Sequence, residues 1–524
     1  MPHFPPVIFA IAFAALVITL TALARRLPVP SPILQVMAGV AIGFIPGTAL
    51  PPLDPEIVFF VFLPPILWAA AYFTSLREFK TNRRPIALLA VGLVLVTTVA
   101  IAIVARWLIP DLPWAVAVAL GAIVSPPDAV AAAAVVSRLP VPRRVIVILE
   151  GESLVNDASA LVLYRTAIAA AVTGVFSLGE SIVRFFVDAG VGACIGLLVA
   201  WLVIRAARWT RDALAETVLT LTAPYVAWFA AESIHASAVL ACVAGGLYLR
   251  QHFSTAVAPM SRVLSGAVWD LVVFLLNALI FVLLGLNVRS LLNDVSSGTL
   301  GSVVRAGLIL GVVAIAVRLA WVPLATWLPR WLSAEVRRKD PSPNPRAIFL
   351  MAWTSMRGIV SLASALALPA VVAGGAPFPR RAELIVITMV VILLTLVVQG
   401  LTLDPIIRFF RFAPEHGHHQ EERLARREAL RRGSEALEDL AREPWADPAD
   451  VEVLRQELRD RARAHNHHGG ASEGRRRLRS GVIAAERRML VRLRNEGTIS
   501  DEVMRELEHE LDLDAMRAGM GDRR

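Results

Sequence analysis

The chain has 524 residues, 56% of them hydrophobic and 18% charged, with a formal net charge of +9. So large an apolar share excludes an ordinary water-soluble domain, and the arginines lie between apolar stretches, where membrane orientation accounts for them better than nucleic acid does. The two cysteines, Cys194 and Cys242, both sit in apolar segments and give neither a disulfide framework nor a thiolate metal site.

Thirteen apolar segments follow in order, at about 7–24, 31–47, 55–74, 85–108, 113–137, 143–173, 180–204, 213–232, 235–251, 263–288, 300–328, 346–369 and 382–410. Arg25 and Arg26 come after the first segment, not before it, so it reads as a first span and not as a cleavable signal. The second segment is short and should pack inside the bundle. The eighth and ninth are divided only by the stretch around Glu232 and His235.

Basic residues alternate between connections. They follow the first, third, fifth, seventh, ninth and eleventh segments, for example Arg83 and Arg84, Arg143 and Arg144, and Arg337 and Arg338. The positive-inside rule makes those loops cytoplasmic. An odd number of spans then puts the N-terminus outside and the C-terminal tail inside. Arg380 and Arg381 break the alternation.

Two segments carry helix breakers at their centres. The fifth holds Ser125-Pro126-Pro127-Asp128, where two prolines remove two N–H donors. The twelfth holds Thr354-Ser355-Met356-Arg357-Gly358. The segments are seven apart, so they cross in opposite directions, which is the pattern of an inverted repeat with two discontinuous helices. The seventh segment would join repeats made of segments one to six and eight to thirteen. Crossed half-helices bring together two positive and two negative ends, each of about half a charge. Asp128 and Arg357 have the signs to neutralise them.

The sixth segment contains Gly151-Glu152-Ser153-Leu154-Val155-Asn156-Asp157-Ala158. A carboxylate at bilayer depth costs at least ~2.5–3.5 kcal/mol, and two stand here within two turns. Helical spacing pairs Glu152 with Asn156 and Ser153 with Asp157. That polar face suits an ion or proton site. Elsewhere, Asp270 and Arg318 could form a buried pair, Arg165 could snorkel outward, and Ser237, Gly245 and Gly246 suit close helix packing. No nucleophile–base pair, nucleotide loop or metal motif appears, so neither an enzyme nor a cofactor is expected.

Past residue 412 charged residues and alanine take over, giving a membrane domain over 1–411 and a charged helical tail over 412–524.

Ser125-Pro126-Pro127-Asp128-Ala129-Val130-Ala131, then Glu150 to Ala158, then Arg357-Gly358 resemble the monovalent cation:proton antiporters of the NhaP and sodium–hydrogen exchanger type. The resemblance spans about residues 7–410. It implies an all-α membrane fold of about 13 helices with crossed discontinuous helices, a homodimer, and exchange of Na⁺ for H⁺ in the cell membrane. It also implies roles for residues. Asp157 would bind the cation or the proton, helped by Ser153 and the Pro127 carbonyl. Asn156 would stand where electrogenic relatives have an aspartate, and Glu152 would pair with Arg357. This chain departs from the family at the crossover, where Pro127 stands before Asp128 and the usual threonine hydroxyl is absent. K⁺/H⁺ exchange is the nearest alternative. A cation channel gated by the tail needs several weak sites along a pore, whereas the charges here gather at one depth.

Overall fold

A computed structural model gives the fold. It describes residues 6–45 apart from 25, 27 and 28, then 58–128, and 141–412 apart from 175–177, 211, 258, 340–343 and 373–374. It also describes 416–466 and scattered positions from 481 onward. The chain divides into two compact units, Met1–Pro414 and Glu415–Arg524. Among the described residues regular structure is helical, with one β-bridge between Val371 and Pro377.

The first unit begins with α1 (Pro6–Ala24), α2 (Ser31–Gly43) and α3 (Leu63–Phe73), the last entered through a π-helical turn at Val58–Phe62. A short α4 (Leu76–Thr81) leads to α5 (Arg83–Leu108) and the half-length α6 (Trp114–Val124). The long helices α7 (Arg143–Thr173), α8 (Leu178–Thr210), α9 (Ala213–Ser233), α10 (Ala238–Ala256), α11 (Pro259–Asn293) and α12 (Ser297–Leu332) follow. The unit closes with α13 (Ala334–Lys339), α14 (Pro345–Trp353), α15 (Ile359–Leu366) and α16 (Arg381–Phe410).

Among the described residues, six helices are long and apolar enough to cross a bilayer: α5, α8, α9, α11, α12 and α16. α1, α2, α3 and α6 add shorter apolar helices. α7 runs for 31 residues, yet Glu150, Glu152, Asp157 and Arg165 lower its hydropathy. Large apolar side chains such as Phe186, Trp201, Trp209 and Trp331 lie exposed, as lipid-facing residues do. The second half of the fifth apolar segment, 129–137, lies outside the described residues.

Local chemistry sets several boundaries. Asp212 starts α9 by accepting the Ala215 N–H at 2.7 Å, and Ser237 starts α10 by accepting that of Leu240 at 3.3 Å. Between them His235 takes a left-handed backbone, φ 60°, and turns the chain over a few residues. Glu232, at the end of α9, meets Arg165 at 3.4 Å; both are partly exposed, and such a pair is worth at most about 1 kcal/mol. Gly245 and Gly246 admit α3: a Cβ on Gly245 would fall 2.5 Å from the Trp68 ring, and one on Gly246 would fall 2.7 Å from the Trp68 carbonyl.

Asp270 lies exposed on α11, and Arg318 is buried and paired elsewhere, so the Asp270–Arg318 pair does not form. The two arginines that break the charge alternation have local partners. Arg380 pairs with Glu383 at 2.9 Å. Arg381 donates from Nε to the Leu368 carbonyl at 2.8 Å and from Nη2 to that of Leu366 at 2.9 Å, which caps the C-terminal end of α15.

The second unit contains α17 (His416–Leu440) and α18 (Pro448–Asn466). Asp447 accepts the Ala449 N–H at 2.8 Å and starts α18, and Arg455 donates to Glu438 on α17 at 2.9 Å. Arg431 donates to Glu428 at 3.0 Å and holds that carboxyl below its ordinary range.

Arg381→Gln removes two charge-assisted hydrogen bonds from the end of α15. It should lower stability by about 1.5–3 kcal/mol, read as an earlier thermal unfolding of purified protein. Arg380→Gln, which frees only a surface carboxylate, should unfold within error of the parent.

Candidate functional site

α6 stops at Val124 because Pro126 and Pro127 cannot donate to its ladder, and the chain runs non-helically through Ser125 to Asp128. The second break is similar: α14 ends at Trp353, residues 354–358 are non-helical, and α15 restarts at Ile359. The two breaks touch. The Asp128 N–H donates to the Met356 carbonyl at 2.7 Å, so backbone groups freed by one break are satisfied by the other.

Charge follows the same geometry. Arg357 Nε donates to the Val124 carbonyl at 2.9 Å, at the negative end of α6, and Nη1 donates to both oxygens of Ser355. The Arg357 N–H is taken by Thr395 Oγ1 of α16 at 3.1 Å. Asp128 lies against the positive end of α15, where a Cβ on Gly358 would stand only 1.7 Å from its Oδ2. Glycine at 358 is therefore a condition of the contact between the two breaks.

α7 passes beside the first break. Its Asn156 Nδ2 donates to the Pro127 carbonyl at 3.0 Å and ties α7 to the first break. Asn156 Oδ1 is buried and, among the described residues, accepts no hydrogen bond. Ser153, half-buried, and Asp157 share a helix face by their i,i+4 spacing. Asp157 is 7% exposed, and among the described residues no hydrogen bond or ion pair engages its carboxylate.

Glu152 is the contrast, and it corrects an expectation. Its partner is Arg318 of α12, not Arg357. Arg318 Nη2 donates to Glu152 Oε2 at 2.8 Å, and Nη1 donates to Oε1; each side chain is 1% exposed. The pair is bidentate, which suits a guanidinium. Arg318 Nε also reaches the Met351 carbonyl of α14 at 3.1 Å. Arg357 is committed to Val124 and Ser355 instead. Arg318 was visible in the sequence as an arginine inside an apolar segment, but one-dimensional spacing could not choose between Asp270 and Glu152. Thr395 and the Met356 carbonyl carried no sequence signal.

The arrangement separates the buried charges. One carboxylate is matched by an arginine, one arginine by carbonyls, and one carboxylate by a helix start. Asp157 remains, among the described residues, with no fixed counter-charge. A proton cancels its charge, and so does a monovalent cation, a hard ion that takes oxygen ligands.

Removing Arg318 leaves Glu152 as an uncompensated buried charge, at about 3–5 kcal/mol. Arg318→Gln and Glu152→Gln together should therefore cost clearly less than the sum of the single changes in thermal unfolding. Additive costs, or a larger coupling of Glu152 to Arg357 than to Arg318, would contradict the pairing. Gly358→Ala should cost ~1–3 kcal/mol through overpacking against Asp128, measured in the same way.

A family model described as "Sodium/hydrogen exchanger, transmembrane" matches residues 11–409. A Na⁺/H⁺ exchanger of Mycobacterium tuberculosis, named as uncharacterized, is 34% identical over 97% of this chain and 95% of its own length. A Bacillus subtilis protein named as a sodium, potassium, lithium and rubidium/H⁺ antiporter is 34% identical over 72% of this chain and 57% of its own. Among solved structures, the sodium proton antiporter MjNhaP1 of Methanocaldococcus jannaschii shares the fold at a TM-score of 0.58 and 21% identity, over 77% of this chain and 98% of that one. With a family model over residues 11–409, several apolar helices and full-length relatives, the chain is a multi-pass membrane protein that belongs to the sodium/hydrogen exchanger family.

Proposed function

We propose that the protein exchanges Na⁺ for H⁺ by alternating access, with Asp157 as the one group that carries either ion. The observation that supports this most is the buried Asp157 carboxylate without a fixed counter-charge, beside two broken helices whose own charges are matched. Proton and cation compete for one carboxylate, and competition at a mobile site is sufficient for exchange. Ser153 and the Pro127 carbonyl are the proposed further ligands. Asn156 holds that carbonyl by its amide and has an unused oxygen. Asp128 and Arg357 neutralise helix ends and are not ion carriers in this reading.

The membrane domain over 1–411 is read as thirteen spans in two inverted repeats. The tail over 412–524 is cytoplasmic, the N-terminus is outside, and the protein works as a homodimer in the inner or plasma membrane. The alternation of basic loops supports the orientation. The physiological role is sodium extrusion and pH homeostasis. K⁺/H⁺ exchange is the second reading, because the Bacillus relative is named for potassium, lithium and rubidium as well as sodium.

Exchange is proposed to be electroneutral. Asn156 cannot titrate, Glu152 stays paired with Arg318, and Asp128 is held by a helix end, so one proton leaves for each cation bound. An electrogenic cycle would gain about 2.3 kcal/mol per charge per 100 mV. The test is flux in proteoliposomes with each alkali cation, with the potential clamped. Parent protein should exchange at a rate that ignores the potential, and Asp157→Asn should insert, fold and carry no proton-coupled cation flux. Retained exchange in Asp157→Asn contradicts the site, and a voltage-dependent rate contradicts the single-carboxylate stoichiometry.

A further inference from the structure

A second feature lies away from the ion site, where α14 begins and α16 ends. Arg346, Pro405, Arg408, Phe409, Phe410 and Arg411 line a cleft of about 600 Å³. Arg346 stands in the first turn of α14, after the N-cap Asn344. A helix start is the positive end of its dipole and disfavours a cation, so an arginine there needs another reason. Part of it is a hydrogen bond from Nη1 to the Phe410 carbonyl at 3.0 Å, which leaves other donors of the fork for a ligand.

The other two arginines come from the end of α16. Arg408 pairs with Asp404 at 2.8 Å and is still 72% exposed. Arg411 takes a left-handed backbone, φ 45° and ψ 58°, which is costly for a residue with a Cβ. Among the described residues no acidic side chain lines the cleft, and Asp404 offsets one of its three positive charges. Phe409 is 80% exposed beside them, while Phe410 packs edge-on against Phe349 and Phe412 at 5.7 and 5.9 Å. A basic cleft with an outward aromatic ring at the end of a membrane helix matches phosphate above and acyl chain below. Arginine forks bind phosphate in pairs of hydrogen bonds, and basic pockets between membrane helices on the cytoplasmic side take anionic headgroups.

We propose that this cleft binds the phosphate headgroup of an anionic phospholipid of the cytoplasmic leaflet. The inference rests on the orientation proposed above and not on the choice of cation. Its consequence reaches the ion site. α14 leads directly into the break that carries Arg357, and α16 holds the Arg357 N–H through Thr395. A phosphate shared by Arg346 and Arg411 ties the outer ends of these two helices together.

The test uses full-length protein in neutral detergent, so it does not depend on transport. Phosphatidylglycerol or phosphatidylcholine is added, and thermal unfolding and retention of lipid in native mass spectrometry are read. Phosphatidylglycerol should raise the unfolding temperature of the parent and of the tail variant Arg432→Gln, and phosphatidylcholine should not. The rise and the retained lipid should be lost in Arg346→Gln. Should that variant fold poorly because the Phe410 carbonyl loses its donor, Arg408→Gln combined with Arg411→Gln should show the same loss. An equal rise with phosphatidylcholine, or a phosphatidylglycerol rise that survives in the cleft variants, overturns the proposal. So does an equal rise with inorganic phosphate alone, which would make the cleft a site for a soluble anion.

Discussion

A charge inside a bilayer has to be cancelled where it stands, because water cannot be recruited to it. The membrane unit of this protein is arranged by that constraint. Each break in a helix leaves polar backbone and a partial charge at depth, and each is answered locally. The Asp128 amide meets the Met356 carbonyl, Arg357 meets the carbonyl end of α6, and Asp128 meets the start of α15. Arg381 does the same for the far end of α15. Each unwound stretch would be costly alone; in contact, they satisfy one another.

The buried Glu152–Arg318 pair belongs to this accounting, although it is weak evidence for stability. Two desolvated charges offset each other only when the geometry is good. Here it joins three elements, since Arg318 of α12 holds Glu152 of α7 and the Met351 carbonyl of α14. α7 and α14 are the helices tied to the two breaks. The pair therefore fixes the frame in which Asp157 sits. Asp157 differs from its neighbours in having no fixed partner among the described residues, and in the proposed reading its partner is exchangeable.

Much of this was legible in the sequence because the signals are local. Apolar runs located the helices, the prolines at 126 and 127 and the Thr354–Gly358 stretch located the breaks, and the carboxylates of α7 stood out against their background. The pairing of charges was not legible. Arg318, Arg357 and Asp270 all lie in apolar segments, and which arginine reaches Glu152 depends on where α12 packs, which no spacing encodes. Arg381 looked like an exception to loop charge for the same reason: its partners are carbonyls at Leu366 and Leu368, and carbonyls leave no mark on a sequence.

The central claim is that one carboxylate takes a proton or a cation and never both. It is tested most directly by counting protons when the cation binds. Purified protein is titrated with Na⁺ by calorimetry in buffers of different ionisation enthalpy, which gives the protons released per ion bound. The account predicts a release that approaches one proton per Na⁺ when the pH is low enough for the unloaded site to be protonated, and no such release in Asp157→Asn. Na⁺ binding without proton release at any pH, or a release approaching two, would contradict it.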